Sequence, residues 1–275
     1  MSGQSTALPE YRVGIGLRTL HIERILDQKP AVPWFEVLMD NHTARGGLIP
    51  RQLEAVREHY PLSLHCVGMS LAGVDPLDMR YLETVKRMVY EYTPIQVSDH
   101  LCFTHHGHHH FNDLLPIPFT AESLDHVSRR IQQVQDYLGT GILVENVSTY
   151  LQYSSSEMNE AEFMTALVDR TGCGILLDIN NAYVNEFNHG YAARDFIDAI
   201  PIEHVSEVHL AGFEDKTDYV IDAHNNRVSE AVWKLFEYYL QLEHGAPVLI
   251  EWDNDIPELD VLLDEASKAE AFIVN

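Results

Sequence analysis

The sequence predicts an α/β protein of the (β/α)8, or TIM-barrel, class. Eight short apolar, β-branched runs alternate with longer amphipathic segments along the whole 275-residue chain. Parallel strands buried on both faces need such near-continuous apolar runs. No Gly-x-Gly-x-x-Gly turn follows the first run, which leaves a doubly wound open sheet as the weaker alternative. No linker, low-complexity tract or shift of composition divides the chain. It reads as one domain over 1–275, since barrels of about 250 residues fold as single units.

The elements follow in order. The first run, 11–17 (YRVGIGL), leads into a helix over 19–28. The second, 34–39 (WFEVLM), precedes a helix over 50–59. The third, 62–65 (LSLH), precedes a helix over 75–92 that opens on Asp75-Pro76, a favourable start. The fourth, 95–98 (IQVS), runs straight into Asp99 and His100. A long irregular connection over 102–119 follows, then a helix over 120–138 capped by Thr120. The fifth, 141–145 (GILVE), is followed by a helix over 159–171 that stops at Gly172. The sixth, 174–178 (GILLD), leads to a helix over 191–200. The seventh, 205–210 (VSEVHL), leads to one over 226–244, stopped by Gly245. The eighth, 247–252 (PVLIEW), precedes the last helix, 257–272.

Composition narrows the function. The net charge is −24, so the chain as a whole repels a phosphate backbone and an anionic membrane surface. Nucleic acid and membrane are not expected partners, whereas a basic peptide or bound cations would be attracted. The three cysteines, Cys66, Cys102 and Cys173, form no Cys-x-x-Cys pair, which argues against a disulfide framework and a thiolate zinc knot. The N-terminal residues show no signal-peptide pattern, and no apolar run approaches the length of a membrane span. A cytoplasmic location is expected.

In a (β/α)8 barrel the functional groups sit at the carboxyl ends of the strands. Here the third run ends in His65, the fourth reaches His100, the fifth ends in Glu145 and the sixth in Asp178. The seventh carries His209 and the eighth Glu251. One such residue is commonly a helix cap or a satisfied buried group. Six from six strands point to shared counter-charges, because buried charges need partners or metal. Asp222 and His224, beside His209, and Asn181, three residues after Asp178, extend the set. These mixed nitrogen and oxygen donors suit iron, manganese or zinc in an open catalytic site. They exceed one ion's needs and suit two or three ions with a bridging carboxylate. His189 is a candidate substrate contact. Glu36 and Asn41 face the mouth if the register is right, although Asn41 equally suits a turn cap. The run HHGHHH at 105–110 lies in the irregular connection, as either a polar surface loop or a border of the pocket.

The segments PLSLHCVGMSLAG, VSDHLCF, NDLLPIPFT, ILVENVSTYL, CGILLDINNAYVN, NHG, EVHLAGF and VLIEWDND carry a resemblance. They closely resemble the multinuclear non-heme iron-dependent oxidative enzymes, formerly domain-of-unknown-function family 692, which include methanobactin-type and 3-thiaglutamate-type peptide-modifying oxidases. The likeness runs from about Tyr11 to Phe272. It implies a xylose-isomerase-like TIM barrel, related to endonuclease IV, holding two or three irons in mixed Fe2+/Fe3+ states with O2 as co-substrate. It implies His65, His100 and Glu145 around one iron. Glu145 would bridge to a second, held also by Asp178, His209 and Glu251. Asn181, Asp222 and His224 would hold a third. Endonuclease IV carries His at the position of Asn181, a departure that weakens the third site and argues against a tri-zinc nuclease. The catalytic group implied is Glu145, Asp178, His209 and Glu251. The implied substrate is a cysteine of a ribosomally made precursor peptide, presented by a separate leader-binding protein in a heterodimer. Oxazolone–thioamide formation, thiooxazole formation and excision of a cysteine β-carbon all remain open as outcomes. Two other readings stand beside this one. One is a metal-dependent isomerase or phosphoester hydrolase on the same barrel; the other is a non-enzymatic metal buffer using the His-rich run.

Overall fold

A computed structural model describes residues 12–242 and 245–274. Its centre is a closed barrel of eight parallel strands. These are β1 (Val13–Gly16), β2 (Phe35–Leu38), β3 (Leu62–His65), β4 (Val97–His100), β5 (Leu143–Glu145), β6 (Gly174–Asp178), β7 (Val205–Leu210) and β8 (Val248–Ile250). Each strand pairs with its sequence neighbours, and β1 closes the ring on β8 through Val13 and Val248. The barrel predicted from the alternating runs is the observed fold. Tyr11, where the first expected run begins, and residues 243–244, where the expected helix over 226–244 ends, lie outside the described residues.

Nine helices cover the described barrel: α1 (Ile22–Gln28), α2 (Leu48–Arg57), α3 (Met79–Tyr92), α4 (Ala121–Leu138), α5 (Glu160–Thr171), α6 (Ile179–His189), α7 (Ala193–Ala199), α8 (Glu230–Leu240) and α9 (Leu259–Val274). Local chemistry sets their ends. Thr120 caps α4, Asn159 closes a capping box with Glu162 on α5, and Gly139 and Gly172 end these helices in the left-handed region. α3 starts later than the Asp75-Pro76 pair suggests. Asp78 is the cap, accepting from the Arg80 and Tyr81 N–H groups, while Asp75 accepts from Gly107 N–H.

Two features depart from the sequence expectation. The connection after β4 is an antiparallel hairpin, Phe103–His106 with His109–Leu115, rather than irregular chain. Gly107, at φ 59°, makes its tight turn. An additional helix, α6, follows β6 at once. Its sequence, INNAYVNEFNH, is rich in Asn, a weak helix former, but Asp178 caps it by accepting from Asn181 N–H at 2.6 Å.

Strand alternation sorts the side chains. Val13, Ile15, Phe35, Val37, Leu62, Leu64, Val208 and Leu210 belong to the main apolar core, which also includes residues of the surrounding helices. The intervening positions, Glu36, Ser63, His65, Glu207 and His209, meet one another inside the barrel. Glycine makes room here: a Cβ on Gly14 would stand 2.5 Å from the buried Trp34 ring. Among the described residues, no helix is long and apolar enough to cross a membrane.

Candidate metal centre

Six of the eight strands deliver a donor at or just past their carboxyl ends, and the ring of strands makes them converge. On one side, His65 of β3, His100 of β4 and Glu145 of β5 present three lone-pair atoms to a common point. His65 Nε2 is 3.2 Å from His100 Nε2, and Glu145 Oε2 is 3.5 Å and 3.3 Å from those two nitrogens. One proton can bridge two of these atoms; a cation would satisfy all three. Ser98 Oγ, 2.8 Å from His65 Nδ1, fixes that ring with Nε2 toward the cluster.

On the other side, His209 of β7 stands between carboxylates. Its Nδ1 lies 3.0 Å from Glu251 Oε2, and its Nε2 lies 3.2 Å from Glu36 and 3.3 Å from Glu207. His224 Nδ1 is 3.1 Å from the same Glu251 oxygen, and its Nε2 is 2.5 Å from Asp222 Oδ1 and 3.8 Å from Asp178 Oδ2. His224 takes a positive φ of 43°, a conformation uncommon outside glycine that the surroundings must hold. Among the described residues, four groups have ligand atoms within 4.8 Å of one another: His65–His100–Glu145, Glu145–Asp178–His209, Asp178–His224–Glu251 and Glu36–His209–Glu251. Glu145, Asp178, His209 and Glu251 each belong to two of them.

The electrostatics show a missing counter-charge. Burial pushes Glu36 and Asp178 up to about 7 and raises Glu145 well above the usual carboxylate range. His65 is held well below its ordinary value by burial and by the neighbouring histidines. Burial opposes the charge on His100, but Glu145 and Asp99 outweigh it and lift the ring to about 9. Burial is likewise outweighed at His209 and His224, which are raised by their carboxylates, and at Glu251, which is lowered by those two rings. Even so, Glu36 Oε2, Glu145 Oε2, Asp178 Oδ2 and Asn181 Oδ1 are buried without a well-aligned hydrogen bond among the described residues, the first three having only histidine contacts of 3.2–3.8 Å. Such atoms are costly unless something binds them. The donors fit divalent or trivalent metal ions of the oxygen- and nitrogen-loving kind.

Asn181, in the first turn of α6, donates from its amide toward Glu145 at 3.4 Å and to the Asn146 carbonyl at 3.1 Å. Asp222 is held by Asn180 at 2.8 Å and Ser148 at 3.0 Å. His189 stands outside the donor cluster, 2.8 Å from the Thr149 hydroxyl, on the wall of a shallow cavity that Asp222 also lines. Asn41 is exposed on a short 3-10 turn, Met39–His42.

Three residues escaped the sequence reading as parts of this site. Glu207 sits two positions before His209 on the same strand face, and that alternation was its only signal. Asp253 reaches His224 Nδ1 at 3.2 Å. Arg18 donates to the Trp252 carbonyl at 2.7 Å and to Asp253 at 2.5 Å, bringing a guanidinium to the rim. Gly16 leaves space for it, since a Cβ there would stand 2.9 Å from that guanidinium.

The family described as RiPP precursor modification enzyme MbnB/TglH/ChrH matches residues 12–274. The chain belongs to this family. A UPF0276 protein of Acaryochloris marina is 45% identical over 260 residues, 94% of each chain. A UPF0276 protein of Chromobacterium violaceum is 42% identical, covering 98% of this chain and 96% of its own. Among solved structures, a D-tagatose 3-epimerase-like protein superposes with a TM-score of 0.65 at 14% identity, covering 96% and 97% of the two chains. Endonuclease IV from Thermus thermophilus gives 0.60 at 16%, covering 96% and 99%. A xylose isomerase-like TIM barrel protein from Mycobacterium smegmatis gives 0.62 at 11%, covering 96% of each. These likenesses show the shared barrel. Family membership makes the chain an enzyme of precursor-peptide modification.

Proposed function

We propose that this enzyme is a multinuclear iron- and O2-dependent oxidase acting on a cysteine of a ribosomally made precursor peptide. In this reading, 1–275 is one catalytic domain, and a cytoplasmic leader-binding protein presents the peptide. The observation that carries the proposal is the sharing of Glu145, Asp178, His209 and Glu251 between overlapping donor groups, in a member of a peptide-modifying family. Overlap of this kind suits adjacent ions joined by a bridging carboxylate.

His65, His100 and Glu145 would hold one iron; Glu145, Asp178, His209 and Glu251 a second; and Asn181, Asp222 and His224 a third. Bound iron would supply coordination and acidification of a thiol together with redox exchange with O2. The chain's own part is positional. Ser98 and Asp99 orient His65 and His100, and Glu36 and Glu207 brace His209 from within the barrel. All three cysteines are buried, free and outside the four donor groups, so a thiolate at the centre has to arrive with the substrate. His189 and Asn41 are assigned to substrate contact.

An isomerase that shuttles protons on lysine lacks its base here, because all five lysines are exposed. The decisive experiment purifies the protein without oxygen, measures its metals and follows O2 consumption with and without the precursor peptide. Iron in more than one equivalent and peptide-dependent O2 uptake are expected. Stoichiometric zinc alone, with activity indifferent to iron, overturns the reading.

A further inference from the structure

A cavity of about 440 Å³ lies between the chain following β5 and the turn from α6 to α7. Its walls are largely apolar and include Ile117, Phe119, Leu151 and Phe196. Two carboxylates line it, Glu160 and Asp195, and the described lining contains no Lys, Arg or His. Asp195 is exposed to solvent. Glu160 differs: its Oε1 is buried and has no hydrogen-bond partner among the described residues. The Val147 N–H donates to this carboxylate, which belongs to the first residue of α5. That single donor leaves one oxygen unanswered. Burial accordingly raises Glu160 to about 8.

An apolar chamber walled in part by a carboxyl group without a full set of partners is complementary to a long alkyl chain with a cationic end, whose approach favours loss of the proton that burial holds on Glu160. Lysine and arginine have that form, burying the stem while the head finds an anion. The cavity is also placed for a peptide bound at the centre. Thr149 lines it, and the next residue, Tyr150, lines the shallow cavity that contains Asp222. His189 links the two walls through its contact with Thr149. A net charge of −24 favours the approach of a basic segment.

We propose that this cavity is a specificity subsite receiving a lysine or arginine side chain of the precursor peptide, with its charged end paired to Glu160. The source of that side chain rests on the peptide-modifying reading above; the chemistry of the cavity does not.

The test uses the purified full-length, metal-loaded protein and three small probes: Nα-acetyl-lysine methylamide, its arginine counterpart, and the uncharged norleucine counterpart of the same shape. Binding is followed by calorimetry. The two basic probes are expected to bind about tenfold or more tightly than norleucine, the range of a charge-assisted hydrogen bond. Glu160→Gln can still accept from Val147 and should erase that preference while metal content and melting temperature stay unchanged. Asp195→Asn, at the solvent-exposed rim, should weaken it less. Equal binding of all three probes, no measurable binding of any at millimolar concentration, or a preference that survives in Glu160→Gln overturns the subsite. These outcomes leave the oxidase reading intact. Failure of iron-dependent O2 uptake would remove that reading while leaving the probe result standing.

Discussion

Two regions of this protein are rich in histidine, and they behave oppositely. At the barrel mouth His65, His100, His209 and His224 are buried, each arriving from a different part of the chain. In the hairpin after β4, five histidines crowd into six residues, four of them exposed. Two pairs face across its strands: His105 opposite His110, with ring centres 5.6 Å apart, and His106 opposite His109. His106 Nδ1 also lies 3.6 Å from Asp75. The hairpin has the higher density of histidine, yet the mouth has the unmet demand. Water solvates an exposed imidazole, whereas a buried donor that lacks a partner remains a standing cost. What identifies a centre is convergence from rigid strands into a dry space rather than the number of ligand-type residues in a row.

The sharpest way to break that contrast is Glu145→Gln. Glu145 belongs to two donor groups, so neutralising it should release more than one ion and lower activity by more than about 100-fold, beyond the usual cost of losing an outer partner. Elemental analysis beside a turnover assay measures both. Loss of a single ion with activity retained contradicts the bridging role. A smaller effect is expected from Glu207→Gln. Glu207 braces His209 at 3.3 Å and receives a hydrogen bond from Ser63 at 3.3 Å. Its amide should weaken metal binding by about 10- to 100-fold, measured by competition with a chelator. An unchanged affinity would show that Glu207 does not help to place His209.

How much of this was legible beforehand follows from where polarity interrupts a strand. His65, Glu145 and Asp178 each close an apolar run, so strand ends and donors could be read together. His100 was visible because Asp99 and His100 directly continue the fourth run. Glu207 lay within a strand, where a carboxylate reads as a surface residue until the barrel closes and turns it inward. Arg18 and Asp253 are brought together only by the closure of β1 on β8, a contact across 235 residues that no local pattern announces. α6 was hidden because its Asn-rich sequence speaks for a loop, and a single cap at Asp178 together with packing against β7 and α8 decides otherwise. The hairpin was hidden because consecutive histidines show no alternation, and only Gly107 marks its turn.

The smallest effect concerns the hairpin itself. Replacing His105, His106, His108, His109 and His110 with threonine keeps a β-favouring residue at each strand position and leaves the Gly107 turn in place. Exposed substitutions of this kind each shift stability by about 0.5 kcal/mol or less, so the melting temperature should move little. Weak uptake of added nickel or zinc should fall, because cross-strand pairs such as His105 with His110 provide the exposed chelates. Metal retained through extensive dialysis should be unchanged, since the buried donors lie on barrel strands, directly after β8, or in the segments following β6 and β7, and none lies in the hairpin. Elemental analysis before and after dialysis separates the two pools. A fall in the retained pool to half or below would mean that the hairpin delivers ions to the barrel. The two histidine regions would then be successive stations on one route, and the contrast between solvated and buried imidazoles would describe a gradient of affinity rather than a division between surface and site.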